Sequence, residues 1–111
     1  MTVLRESEAD FTAWVIDVAK LHGWLVHHVR PAWTAKGYRT PVQGDAGAPD
    51  LLLARDGVVV LAELKTQTGR VRPEQEAWLA ACGPSARLWR PADRPAVLAL
   101  LRTPRTPQEA M

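Results

Sequence analysis

The chain has 111 residues, enough for one domain with a single core and too few for two. Its apolar fraction of 47% and its charged fraction of 23% are typical of globular proteins, and they exclude a disordered or fibrous class. The formal net charge of +2 favours an anionic partner only mildly. We therefore expect one folded domain over residues 1–101.

Cysteine content and apolar runs bear on the compartment. Cys82 is the single cysteine, which excludes an internal disulfide framework and a cysteine-rich zinc site. No apolar run reaches the ~20 residues that span a bilayer, and the N-terminal segment is acidic rather than a basic leader. We expect a cytoplasmic protein without a membrane span.

The first half of the chain predicts one helix, one strand and a long loop. Apolar side chains recur at helical spacing over residues 8–22, and Gly23 supplies a stop. Residues 24–29 are rich in β-branched and aromatic side chains, which favours a strand. Residues 31–49 hold three prolines and three glycines with little periodicity, and loops of that length are usually functional.

The second half predicts three strands, two helices and a tail. Arg55-Asp56-Gly57 contains a strong hairpin signal between two apolar runs. The predicted elements are strands at 50–54 and 58–65, a helix at 72–82, a strand at 86–90 and a helix at 93–101. This order indicates an α/β fold in which helices flank a mixed central sheet. Residues 102–111 have no apolar face, and we expect them to be disordered.

The second strand of the predicted hairpin, residues 58–65, is apolar except for two charged residues. Strand alternation places Glu63 and Lys65 on one face. Their desolvation costs several kcal/mol unless a metal, a ligand or mutual pairing compensates. Pairing across the Asp-Gly turn would bring Asp50 beside the Glu63 end of that strand.

This set of residues suits a hard divalent cation. The carboxylates of Asp50 and Glu63, with a backbone carbonyl such as that of Leu64, are oxygen donors of the kind that Mg²⁺ and Mn²⁺ prefer. Lys65 could hold an attacking water or stabilise charge on a phosphate. Two further polar side chains are predicted to point at the sheet. Glu8 lies at the edge of the apolar stripe of the first predicted helix, and Gln75 lies on the inner face of the second.

Several motifs resemble those of a known family. Gly47-Ala48-Pro49-Asp50, Glu63-Leu64-Lys65, Gln75 and Trp78 resemble the PD-(D/E)xK nuclease superfamily. A narrower resemblance, to the stand-alone viral VRR-NUC (virus-type replication-repair nuclease) domains, rests on Glu8 with Phe11, Gly23-Trp24, Arg39-Thr40-Pro41, Gln43-Gly44-Asp45, and Pro73-Glu74-Gln75 with Trp78-Leu79. It covers nearly all of residues 7–101. Ala48 departs from the pattern, because the family has a bulkier residue there.

The resemblance implies a restriction-endonuclease-like core and Mg²⁺- or Mn²⁺-dependent hydrolysis of DNA phosphodiester bonds. It implies that Asp50 and Glu63 bind the metal with help from Glu8, that Lys65 polarises water or phosphate, and that Gln75 supports them. Small members of the family resemble Holliday-junction resolvases and act as homodimers. Branched DNA is therefore the expected substrate, and the inside of a phage-infected or other bacterial cell is the expected setting.

Five basic residues outside the motif core are candidate phosphate contacts. As a group they are more persuasive than singly, because scattered basic side chains are usually only solvated. They are Arg30, Lys36, Arg39, Arg70 and Arg72. The adjacent His27 and His28 face opposite ways in a strand, so they cannot easily share a metal, and we interpret them as structural.

Three other interpretations compete with the nuclease. Asp50, Glu63 and Lys65 could form a simple salt bridge at a strand end. The chain could be a non-catalytic nucleic-acid-binding subunit on a nuclease fold, although such a protein should have lost at least one of these three residues. A sequence-specific restriction-type enzyme would need a recognition domain, and none accompanies this one.

Overall fold

A computed structural model describes residues 6–29, 32–35, 37–39 and 42–104. It shows an α/β fold with a mixed four-stranded sheet and three helices, which confirms the predicted fold class. The elements are α1 Glu8–Leu21, β1 Leu25–His28, β2 Ala32–Thr34, β3 Gly37–Arg39, β4 Leu51–Arg55, β5 Val58–Leu64, α2 Pro73–Cys82, β6 Ala86–Trp89 and α3 Arg94–Leu101, with 3-10 turns at Gly83–Ser85 and Pro91–Asp93. None of the helices in the described part of the chain is long and apolar enough to cross a membrane.

The segment predicted as one long loop contains a small hairpin, so that prediction was wrong in part. β2 and β3 pair antiparallel, with Ala32 opposite Arg39 and Thr34 opposite Gly37. Each strand has three residues, which is too short for alternation of polar and apolar side chains to be recognisable. The hairpin forms a separate two-stranded sheet and leaves the order of the main sheet unchanged.

The main sheet has the strand order β1-β4-β5-β6. β4 pairs antiparallel with both β1 and β5, whereas β5 and β6 are parallel and are joined by a crossover that contains α2. The β4–β5 turn uses Asp56 at φ 51° and Gly57 at φ 81°, the left-handed conformations that an Asp-Gly hairpin turn requires. This turn sets the register of the two strands that carry the candidate site.

The two faces of the main sheet differ. One face packs against α1 and α3 around a core that includes Phe11, Val15, Leu51, Leu53, Ala62, Leu64, Val97 and Leu101. On the other face, alternation brings out Leu25, Leu52, Val59 and Leu88, which are 76%, 41%, 43% and 37% exposed. We call these four residues the open face.

Arg55, at the end of β4, ties the C-terminal ends of α1 and α3 together. Its Nη1 donates to the carbonyls of His22 at 3.0 Å and Leu101 at 3.2 Å, and its Nη2 donates to Thr103 at 2.6 Å. The guanidinium lies 4.7 Å from the ring centroid of Trp24, whose Nε1 also donates to Leu101 at 2.8 Å. Helix C-terminal carbonyls lack intrahelical partners and carry partial negative charge, so a buried cation satisfies them here.

Replacing Arg55 with Met should lower the free energy of unfolding by about 2–3 kcal/mol, because it removes charge-assisted bonds to carbonyls of two helix ends. Urea unfolding followed by tryptophan fluorescence measures this loss. The exposed Arg70→Met is the matched control and should change stability by less than about 0.5 kcal/mol. Equal effects of the two substitutions would contradict the role of Arg55.

Candidate active site

The pairing of β4 with β5 places Asp50 and Glu63 together. Leu51 pairs with Ala62, so the same register extended by one residue sets Asp50 opposite Glu63. The backbone N–H of Leu64 donates to Asp50 Oδ2 at 2.9 Å, which fixes the aspartate at the end of β5. The sequence prediction that a hairpin brings these two carboxylates together is confirmed.

The carboxylate of Glu63 is buried and only partly satisfied. Its side chain is 2% exposed, Gln75 Nε2 donates to its Oε2 at 3.1 Å, and Lys65 Nζ lies 3.9 Å from the same oxygen. Within the described part of the chain, Glu63 Oε1 is buried and has no hydrogen-bond partner. A buried oxygen of this kind is uncommon and calls for an explanation, such as an ion.

Gln75 is oriented by the first turn of α2. Its Oε1 accepts a hydrogen bond of 3.0 Å from the backbone N–H of Arg72, the residue that caps this helix. The amide oxygen is therefore engaged, and the NH₂ group turns toward Glu63. Gln75 is buried, as the apolar pattern of the helix indicated.

Lys65 follows β5 directly and stays close to Glu63. Its side chain is 13% exposed, and its backbone N–H donates to the Trp89 carbonyl at 3.0 Å, which continues the pairing of β5 with β6. A strand-end salt bridge would account for one oxygen of Glu63 only. Among the described residues, no salt bridge reaches the second oxygen of Glu63 or the neighbouring Asp50.

The surroundings of Glu63 strongly favour its neutral form. Burial is the largest of the effects that raise the pKa of Glu63 to about 8, and the others are a hydrogen bond to the Asp50 carboxyl and repulsion by it. The Lys65 ammonium acts in the opposite direction and lowers this pKa. Glu63 thus holds a proton near neutral pH unless a cation replaces it. Strongly perturbed carboxyl groups of this kind are concentrated at functional sites.

Glu8 reaches the same region from the start of α1. Burial and the Asp50 carboxylate raise the pKa of Glu8, whereas Lys65, Arg72 and His28 lower it. The residue as a whole is exposed. In the described residues no group of three or more His, Cys, Asp or Glu side chains is arranged to hold a metal ion, so direct ligation by Glu8 stays a prediction.

The remaining donor set nevertheless fits a divalent cation. When Glu63 is ionised, no described residue donates a hydrogen bond to its Oε1, and the Asp50 carboxyl lies beside it. Both are hard oxygen donors, which Mg²⁺ and Mn²⁺ bind in combination with water. Leu64 contributes its amide to Asp50, and the metal role predicted for its carbonyl stays a prediction.

Gly47 allows the loop before β4 to touch α2. Its φ is +98°, and a Cβ added there would lie 2.8 Å from the backbone carbonyl carbon of Glu74. Trp78 Nε1 also donates to the carbonyl of Ala46 at 3.0 Å. These contacts hold the loop that ends at Asp50 against the helix that carries Gln75. Ala48 is exposed, so its small side chain leaves no hole in the core.

The predicted phosphate contacts are only partly described. Arg30 and Lys36 lie outside the described residues, and for Arg39 the backbone position in β3 is described without its side chain. Arg70 and Arg72 are exposed, and Arg72 Nε lies 3.1 Å from Glu74 Oε1. Arg72 acts electrostatically on Glu8 and lowers its pKa.

Sequence reasoning missed Arg90, which shapes the loop after Lys65. Its Nη1 donates to the carbonyls of Thr66 and Gly69, each at 2.7 Å, and lies 3.4 Å from that of Gln67. Arg90 follows β6, so this contact depends on β5 and β6 being parallel neighbours. The strand order would have revealed it, but no local sequence signal does.

Comparison of the chain with protein-family models, with curated proteins and with solved structures finds no significant match in any of the three. The resemblance to VRR-NUC nucleases therefore rests on the motif residues alone. What the site can do has to be inferred from its geometry.

The raised pKa of Glu63 predicts a pH-dependent stability in EDTA. An unfolded glutamate loses its proton near 4.5 and folded Glu63 near 8, so the folded state loses stability as the pH rises through this window. Glu63→Gln stays neutral. Its melting temperature should match that of the unmodified protein at pH 5 and exceed it by roughly 5 °C or more at pH 9.

Thermal unfolding followed by circular dichroism at both pH values tests this prediction. Glu76→Gln, at an exposed position of α2, is the control, and its effect should not grow with pH. A difference between Glu63→Gln and the unmodified protein that is constant across the pH range would contradict the assigned pKa.

Proposed function

We propose that this protein is a divalent-metal-dependent nuclease that hydrolyses phosphodiester bonds in DNA. The observation that carries the proposal is the buried Glu63 carboxyl beside Asp50 and Lys65, in which no described residue donates a hydrogen bond to Oε1 of the ionised form. A purely structural ion pair would not need a third titratable group or a buried glutamine. A site that recruits a cation uses all of them.

Each residue of the site then has a distinct task. Asp50 and Glu63 would hold Mg²⁺ or Mn²⁺, which supplies a Lewis acid for the phosphate and lowers the pKa of a bound water. The Leu64 amide fixes Asp50, and the Gln75 amide fixes Glu63, so the two carboxylates are preorganised. The Lys65 ammonium stabilises the negative charge that grows on the phosphate as water attacks phosphorus and the bond to the leaving sugar oxygen breaks.

The substrate class follows from the sequence resemblance. Small nucleases of the resembled type act on branched DNA, so a four-way junction is the substrate that we propose first. The single Cys82 is compatible with a reducing compartment, and we propose a cytoplasmic location.

Cleavage of labelled four-way-junction, flap, duplex and single-stranded DNA should require Mg²⁺ or Mn²⁺ and stop in EDTA. Asp50→Asn and Glu63→Gln should each reduce the rate by roughly a hundredfold or more, since each removes one anionic donor while preserving side-chain size. Glu76→Gln, at an exposed position of α2, should cleave like the unmodified protein.

Full activity of Glu63→Gln would refute the site assignment. Binding of these DNAs by the unmodified protein without any cleavage would refute the nuclease and leave the non-catalytic subunit in its place.

We also propose that two copies associate through the open face. Its four residues are large, apolar and uncharged, and they lie on one side of the sheet, the side on which Gln75 of α2 contacts Glu63. Sheet faces are normally buried against another layer, and exposed apolar patches of several hundred Å² usually mark interfaces. A second open face is itself apolar, so contact between the two faces would bury both sets of side chains. Two active sites would also provide one cut for each of two strands.

Light scattering should give a mass twice the 12.3 kDa of the chain. Leu52→Lys places a charge in the centre of the open face and should give the single-chain mass. Leu21→Lys on α1 is the matched control, because Leu21 is 80% exposed and lies away from that face, and it should leave the dimer intact. A single-chain mass for the unmodified protein at tens of micromolar would contradict dimerisation.

A further inference from the structure

A groove lies between α1 and the edge strand β1, next to the carboxylate site. Its volume is about 440 Å³, within the range of ligand-binding sites. The residues that line it are Glu8, Ala9, Thr12, Ala13, Ile16 and His28. Glu8 lines the groove and is also acted on electrostatically by Asp50, so it links the groove to the predicted active site.

His28 is the residue that joins this groove to the sheet. It is the last residue of β1 and pairs with Leu51, which in turn pairs with Ala62. The next row across β4 and β5 is that of Asp50 and Glu63. Side chains in the His28 row face α1, whereas His27 pairs with Leu52 and faces the opposite way. His28 is half-buried and His27 is exposed.

The groove has one polar end and an apolar floor. Ala9, Ala13 and Ile16 form the floor. The Thr12 hydroxyl already donates a hydrogen bond to the carbonyl of Glu8 at 2.8 Å. Among the residues that line the groove, His28 is therefore the one whose side chain can donate a hydrogen bond to a ligand. The Glu8 carboxylate repels anions, and recognition of an anion at this end therefore depends on His28.

Lys65 and Arg72 add positive charge near Glu8 at this end of the groove. His28, Lys65 and Arg72 each act electrostatically on Glu8, and they come from β1, from the end of β5 and from the start of α2. A phosphate group at the carboxylates would thus meet a donor on the α1 side as well as on the α2 side. A nucleotide next to it has an apolar sugar and base face that matches the floor of the groove.

We propose that this groove binds one strand of the nucleic acid beside the bond to be cut, with the His28 imidazole donating a hydrogen bond to a phosphate oxygen. The sugar and base of the same nucleotide lie on the floor formed by Ala9, Ala13 and Ile16. The inference rests on the proposed nuclease function, and it adds the direction in which the strand leaves the active site.

Binding can be measured without turnover in a Glu63→Gln background. Fluorescence anisotropy with a fluorescein-labelled four-way junction and a labelled single strand, both in Mg²⁺, gives the Kd. Adding His28→Ala should raise Kd about tenfold through the lost phosphate contact, and His28→Gln, which keeps an N–H donor, should recover most of the affinity. His27→Ala is the matched control and should leave Kd unchanged.

A second pair of variants tests the groove itself. Ala13→Trp fills it from the exposed side of α1 and should weaken binding of both DNAs, whereas Ala80→Trp on the exposed side of α2 should not. In the cleaving protein, His28→Ala should raise KM more than it lowers kcat, which a general loss of folding would not do.

The outcomes separate the two proposals. Unchanged Kd in both His28→Ala and Ala13→Trp would overturn the groove as a strand-binding site, even if cleavage still depends on Glu63. If the unmodified protein never cleaves but these variants weaken binding as described, the groove stands and the nuclease proposal fails.

Discussion

The register of the β4–β5 hairpin is the constraint on which the site depends. Because side chains alternate along a strand, a slip of one residue would turn Glu63 into the core and expose Ala62. The left-handed pair Asp56 and Gly57 fixes this register at the far end of the hairpin. The separate pairing of β1 with β4 sets the row of His28, so the groove beside α1 depends on that second register.

A buried carboxylate is costly, and the protein bears this cost at Glu63. The Gln75 amide and the Lys65 ammonium compensate one oxygen of the ionised group, while the Asp50 carboxylate repels it. Replacing such a group by an apolar one usually stabilises a fold. Two converging carboxylates that lower the stability of the fold are typical of functional sites. A bound cation would offset the repulsion between them.

Much of the site was predictable because its signals are local or depend on a single hairpin. The Asp-Gly turn implied that Asp50 meets the end of β5, alternation put Glu63 and Lys65 on one face, and helical spacing turned Gln75 inward. Alternation also implied that the neighbouring His27 and His28 face opposite sides. The chain therefore determined by itself the order of the main elements, the α/β class and the core of the carboxylate cluster.

Tertiary structure alone decided which face of the sheet each helix covers. Alternation separates His28 from His27, but it does not say which of them meets α1, because that depends on how the helix packs across strands distant in sequence. The contact of Arg90 with the loop after Lys65 needs the parallel neighbour β6, which only the crossover establishes. The short β2–β3 hairpin has too few residues for a periodic signal. Local chemistry thus specified the elements, and long-range packing specified which of them share a site.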